Sequence, residues 1–160
     1  MKRFVKLLHI LGAVGMTGAL AAHAVLLTLM PEPSSLAEYA SMRQAIAGLA
    51  RWLLLPSLTL VLISGLAAIA VHAAFREARW VWLKAALGLT MFEGTLAAVQ
   101  SPAEQAARLS ARVLAGEADP GMLDNLLRNE WAALWVILSL ALVNIVVGVW
   151  RPSLRRRRVS

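Results

Sequence analysis

Residues 131–150 read WAALWVILSLALVNIVVGVW, a stretch of twenty residues that contains no Lys, Arg, Asp or Glu. A helix needs about 20 predominantly apolar residues to cross the hydrocarbon core of a bilayer. Three further stretches have the required length and hydropathy, at 7–30, 52–75 and 81–100. Only the last of these contains charged residues, Lys84 and Glu93. The sequence therefore predicts an all-α integral membrane protein, a four-helix bundle with these four spans.

The composition supports the membrane assignment and excludes several classes of protein. The 160 residues are 59% hydrophobic and only 16% charged, whereas an average soluble domain has about 25% charged residues. Water-soluble enzymes and disordered chains are therefore excluded. Because cysteine is absent, the chain has no disulfide, thiolate metal site, iron–sulfur cluster or cysteine nucleophile. The length predicts a single transmembrane domain over 1–160.

The basic residues predict the orientation, because cytoplasmic loops of membrane proteins are enriched in Lys and Arg. With a cytoplasmic N-terminus, eleven of the sixteen basic residues lie inside: Lys2, Arg3, Lys6, Arg76, Arg79, Lys84, Arg151 and Arg155 through Arg158. Seven of the nine acids lie outside. We therefore expect both termini in the cytoplasm and the protein in a bacterial inner membrane. The net charge of +7 is then a topology signal and predicts no nucleic-acid partner.

The N-terminus also has features of a cleaved signal peptide. Basic residues precede an apolar run, and Ala22-His23-Ala24 matches a small-residue cleavage site. The apolar run continues past Ala24 to Met30, which is long enough to span. We therefore expect the segment to be retained as the first transmembrane helix.

The segments outside the spans predict helices that extend beyond the membrane on the outer side. Ser35 and Glu38 have capping-box spacing, which favours a new helix running into the second span. Pro56 predicts a kink in that helix. Ser101-Pro102 predicts the start of another outer helix, and Gly116 its end.

Ionisable residues inside spans are rare and are candidates for function. His9 and His72 lie near the inner ends of the first and second predicted spans, at similar depth on antiparallel helices, with Gly and Ala residues on the same faces. Two facing imidazoles can each supply one axial nitrogen to a haem iron, and small residues leave room for the macrocycle. The pattern favours one b-type haem, with Arg76, Arg79 or Lys84 as partners of its propionates. The alternative is that these histidines contact interfacial water or pack against neighbouring helices.

The remaining polar positions are less specific. His23 follows His9 by fourteen residues on the same helical face, but no second outer histidine is present, so we expect His23 to be packed. Lys84 can also extend to the inner surface. Glu93 lies deep in the third span, which favours either a proton-relay role or a buried structural hydrogen bond.

Two short stretches resemble known bacterial membrane families. Val5-Lys6-Leu7-Leu8-His9-Ile10-Leu11-Gly12 is similar to the start of a family of four-helix predicted integral membrane proteins of unknown function, and more distantly to HemJ-type protoporphyrinogen oxidases and CopD-type copper-resistance proteins. Trp80-Val81-Trp82-Leu83-Lys84 resembles the segment entering the third helix of the HemJ type. That resemblance implies a bound b-type haem and functional roles for His9 and Lys84.

The sequence departs from both of these families after His9. The Tyr-Leu-Pro-Arg pattern of the HemJ type and the Trp-x-Gly-Gly pattern of the CopD type are absent.

The main hypothesis is a haem-b electron-transfer protein that exchanges electrons with a quinone or a larger membrane complex. A cofactor-free accessory subunit of such a complex is the alternative, and a HemJ-like oxidase or copper-handling protein the second alternative. We expect no stand-alone enzyme.

Overall fold

The computed structural model describes residues 2–124 and 126–150. These residues are overwhelmingly helical and contain no β-strand, which confirms the predicted all-α class. Arg151 and the basic tail 155–158 lie outside the described residues.

The helices are as follows: α1 Lys2–Thr28, α2 Leu36–Leu49, α3 Leu55–Val71, α4 Ala73–Glu77, α5 Arg79–Thr95, α6 Ser101–Leu114 and α7 Leu126–Trp150. Two π-helical segments, Ala50–Leu54 and Leu96–Gln100, connect α2 to α3 and α5 to α6 without a break. A short 3-10 helix, Pro120–Leu123, precedes α7.

Three of the described helical stretches are long and apolar enough to cross a membrane: Arg3–Thr28, Leu36–Val71 and Pro120–Trp150. They contain most of the predicted spans 7–30, 52–75 and 131–150. The predicted span 81–100 is helical as well. It is not among the three, and it carries both Lys84 and Glu93, whose charged groups lower the hydropathy of that segment.

The two π-helical segments stand two residues before a proline in each case. The N–H of Leu55 donates to the Ala50 carbonyl, and the N–H of Ser101 donates to the Leu96 carbonyl, in the i→i+5 pattern of a π turn. Pro56 and Pro102 have no N–H to donate, so the helix would lose one backbone hydrogen bond at each of them. The wider π turns lie just before these two positions. The helix predicted to start at Ser101 is therefore a continuation of α5.

The turns at the other predicted boundaries follow the sequence signals. Helix α2 begins after Ser35, although the Ser35 side chain makes no capping hydrogen bond. After α6, Gly116 has a positive φ of 76°, and the N–H of Glu117 donates to the Arg112 carbonyl at 2.8 Å. This is the left-handed helix end that favours glycine.

The helices pack in pairs: α1 lies along α3, α2 against α6, and α5 against α7. Gly12 and Gly15 allow the closest approach of α1 to α3. A Cβ added to Gly12 would lie 2.9 Å from both the Ser57 carbonyl oxygen and the Val61 nitrogen, whereas a Cβ added to Gly18 would meet nothing within 4 Å.

Many large apolar side chains lie on the outside of the molecule, and two charged residues, Arg43 and Glu130, are buried. Trp52, Ile63, Val14 and Trp150 are all well exposed, while Arg43 is only 1% exposed. Large exposed apolar patches on soluble monomers are rare and mark contact with a membrane or another protein. The exposed apolar side chains are therefore compatible with a membrane protein.

Candidate haem-binding cavity

A cavity of about 680 Å³ is lined by residues of α1, α3, α5 and α7 and of the segment that joins α3 to α5. This volume lies within the range of about 300–1,000 Å³ found for small-molecule sites. His9, His72 and Lys84 all line the cavity. The fold thus brings together three of the five residues that the sequence suggested for a cofactor site.

His9 is half-buried, and its ring is held against α3. Its Nδ1 atom lies 3.1 Å from the Val61 carbonyl oxygen and 3.1 Å from the Ser64 hydroxyl. Because a carbonyl oxygen only accepts hydrogen bonds, Nδ1 is the protonated nitrogen and donates to Val61. Nε2 then keeps its lone pair and is available as an axial ligand, in the arrangement typical of metal-binding histidines.

His72 lies at a break in the helix that the sequence did not predict. The backbone of His72 is extended, with φ of −113° and ψ of 107°, between the end of α3 and the start of α4. Its ring packs against Phe75 with a centroid distance of 5.0 Å. His72 therefore lines the cavity from the junction between two helices.

Lys84 extends toward α7 and is half-buried. Its Nζ donates to the Asn144 side-chain oxygen at 2.7 Å and to the Asn144 carbonyl oxygen at 3.1 Å. Gly148 leaves room for the chain, since a Cβ there would lie 3.1 Å from Nζ. Both acceptors are neutral, and Lys84 has no acidic partner among the described residues. Its positive charge is therefore available to an anion in the cavity.

The other predicted propionate partners lie outside this cavity. Arg76 and Arg79 are exposed and are not among its lining residues. Arg3 and Lys6 from α1 line it instead. Sequence reasoning had already assigned these two residues to the inner side as topology signals, but it did not connect them with the site. Asn144 and Ser64 were likewise not predicted as members of this site.

The walls of the cavity are apolar and include several small residues: Ala13, Gly65, Ala68, Ala85 and Gly88. A Cβ added to Gly65 would stand 3.6 Å from His9 Cε1, which is ordinary van der Waals contact. Glycine at this position thus keeps the space beside the His9 ring open. The lining residues fit a flat, largely apolar cofactor with anionic groups, since they offer two imidazoles, apolar walls and basic side chains.

His23 and Glu93 do not belong to the cavity. His23 is buried in α1, as expected for a packed histidine, and its Nδ1 has no hydrogen-bond partner among the described residues. Glu93 is exposed on α5. Thr17, Thr59 and Ser139, hydroxyls of the other helices, each donate to a carbonyl of their own helix. The buried structural hydrogen bond, one of the two alternatives for Glu93, is not formed among the described residues.

A buried ion pair at the opposite end of the bundle was not predicted. Arg43 Nη1 donates to Glu130 Oε2 at 2.5 Å and Arg43 Nη2 donates to the Tyr39 hydroxyl at 2.7 Å. The pair joins α2 to the start of α7. Arg43 Nε and Glu130 Oε1 are buried without a partner among the described residues. A charge pattern could not reveal this contact, because the two residues are 87 positions apart.

Among the described residues, no group of three or more His, Cys, Asp and Glu side chains could hold a metal ion. A haem iron requires only axial ligands from the protein, which the two histidines can provide. No family model, curated protein or solved structure matched the chain. The resemblance to the HemJ and CopD types stays a prediction.

Proposed function

We propose that this protein is a four-span integral protein of a bacterial inner membrane that binds one b-type haem near the cytoplasmic side and transfers electrons. The spans are those predicted at 7–30, 52–75, 81–100 and 131–150, with both termini in the cytoplasm. The observation that carries the proposal is the cavity of about 680 Å³ lined by both His9 and His72.

His9 and His72 would hold the haem iron. The Val61 carbonyl fixes the His9 tautomer and ring orientation through Nδ1, which would leave Nε2 free to bind. His72 would bind from the junction between α3 and α4. A bis-histidine haem supplies a reversible one-electron couple whose potential depends on axial ligands, burial and nearby charge.

The basic side chains of the cavity would orient the haem relative to the membrane. Arg3, Lys6 and Lys84 line the cavity with His9, and they would pair with the haem propionates. Positive charge near a haem would favour its reduced form, because that form carries one more electron. The redox partner is a quinone in the bilayer or a larger membrane complex.

The test is a visible spectrum of the detergent-solubilised protein from haem-replete cells, oxidised and reduced. We expect a Soret band and sharp reduced bands. The variants His9→Ala and His72→Ala each remove or shift these bands, because each removes an axial ligand. His23→Ala is the matched control, since this histidine lies outside the cavity, and its spectrum is unchanged. Absence of a Soret band in the parent protein contradicts the haem proposal and favours the cofactor-free accessory subunit.

A further inference from the structure

Thr90 and Glu93 form an unpartnered polar pair on α5. Both side chains are exposed, both lie one turn apart on the same helical face, and neither makes a hydrogen bond or ion pair with the described residues. In contrast, the exposed hydroxyls of Thr17, Thr28 and Ser139 are satisfied by carbonyls of their own helices. The α5 pair therefore has free hydrogen-bonding capacity on the outside of the bundle.

The surrounding residues form a continuous exposed lane that runs along α5 to the first residue of the π-helical segment after it. The lane consists of Trp82, Ala86, Leu89, Glu93 and Leu96. The spacing alternates between four and three residues, which is the a/d pattern of helices that pack at a shallow angle. Apart from the Trp82 ring nitrogen, which donates to the Arg76 carbonyl, Glu93 is the polar member of the lane. A single polar residue in such a lane specifies register and oligomeric state.

The depth of Glu93 in the proposed membrane span indicates that another chain covers this lane. Glu93 lies nine residues after Lys84, about 13 Å along the helix axis, and thus well within the hydrocarbon if α5 spans as proposed above. Acidic side chains at this depth are costly and face a bundle interior or a partner. In this structure Glu93 faces outward, so its partner must come from another chain.

We propose that α5 is the interface of a homodimer in the membrane, in which Glu93 of each copy accepts a hydrogen bond from Thr90 of the other. A two-fold axis along the membrane normal places two copies of α5 side by side and parallel, so that the same lane contacts itself. The Thr90 hydroxyl donates and the carboxyl oxygens of Glu93 accept. One copy thus supplies both the donor and the acceptor that the other copy needs. This inference rests on the proposed membrane placement of α5 and not on the haem.

Disulfide trapping tests the interface, because the chain has no native cysteine. Leu89→Cys places a thiol in the lane, and Val143→Cys places one on an exposed face of α7 as a matched control. In native membranes under mild oxidation, we expect a covalent homodimer from Leu89→Cys and little from Val143→Cys. Equal yields from both, or a product with a chain of different mass, overturn the proposal.

A second pair of variants tests the polar contact itself. In the Leu89→Cys background, Glu93→Gln keeps a hydrogen-bond acceptor for Thr90 and retains the dimer. Glu93→Leu removes the acceptor and weakens association about tenfold in a dilution series in detergent. A Leu variant that associates as strongly as the Gln variant overturns the role of Glu93. Carbonate extraction of the same membranes tests insertion separately, and the visible spectrum tests the haem, so the three failures are distinguishable.

Discussion

Arg43 is the most deeply buried charged residue in the described part of the chain, with 1% of its surface exposed. Its guanidinium bonds to Glu130 and Tyr39 and lies 4.9 Å from the Tyr39 ring centroid. A buried pair of charges gains little net stability over apolar residues of the same volume, but breaking one partner leaves an uncompensated charge. The pair therefore fixes where α2 meets α7 more than it stabilises the fold.

We expect Glu130→Ala to destabilise the folded protein by about 3–5 kcal/mol, because Arg43 is then buried without a counter-charge. The free energy of unfolding in mixed micelles measures this effect. Glu104→Ala is the matched control: it removes the pair with Arg108, whose side chain is 69% exposed, and costs about 0.5 kcal/mol or less. Similar losses for the two variants contradict the structural role assigned to the buried pair.

At the site, Gly65 distinguishes a functional cavity from an incidental void. Gly65→Ala adds a methyl group at ordinary contact distance from His9, so we expect the Soret band to be retained. Gly65→Leu projects a larger side chain into the cavity and reduces haem occupancy at least tenfold, measured as the ratio of Soret to protein absorbance. Full occupancy in the Leu variant places the haem elsewhere.

At the scale of the elements, the contact of α1 with α3 depends on Gly12. A Cβ at Gly12 meets backbone atoms of α3 at 2.9 Å, and such overpacking costs about 1–3 kcal/mol. We expect Gly12→Ala to lower the free energy of unfolding by that amount. Gly18→Ala, on the same helix but in open space, leaves stability unchanged or raises it by up to about 1 kcal/mol through helix propensity. Equal effects of the two substitutions contradict the close crossing.

The two π-helical segments also act at this scale. They contact each other, and each precedes a proline that would otherwise disrupt the helix. They let α2–α3 and α5–α6 continue past Pro56 and Pro102 as unbroken helices. Their outer halves, α2 and α6, consequently pack against each other at the end of the bundle opposite the cavity.

At the scale of the whole molecule, the charge distribution predicts the orientation in the membrane. Exposed Arg76 and Glu117 lie toward opposite ends of the bundle. In intact cells, a membrane-impermeant thiol reagent should label Glu117→Cys, whereas Arg76→Cys should react only after permeabilisation. The absence of native cysteine makes each label specific. The reverse pattern contradicts the predicted cytoplasmic termini.

The membrane-length helices could be predicted from the sequence because hydropathy is a local property, summed over about 20 residues. That reasoning predicted the apolar stretches within α1, α3 and α7. It also identified His9 and His72 as candidates for one site, because both occupy similar positions relative to the span ends. It did not predict the break at His72, where neither glycine nor proline marks the end of the helix.

The sequence by itself determined that the chain is helical and largely apolar, and which few polar residues lie in its apolar segments. The tertiary structure alone decided which of these residues meet. Lys84 bonds to Asn144 across 60 positions, Arg43 to Glu130 across 87, and Glu93 faces outward. The physical reason is that helix formation depends on neighbours in sequence, whereas the rotation of each helix about its axis is set by packing against the others.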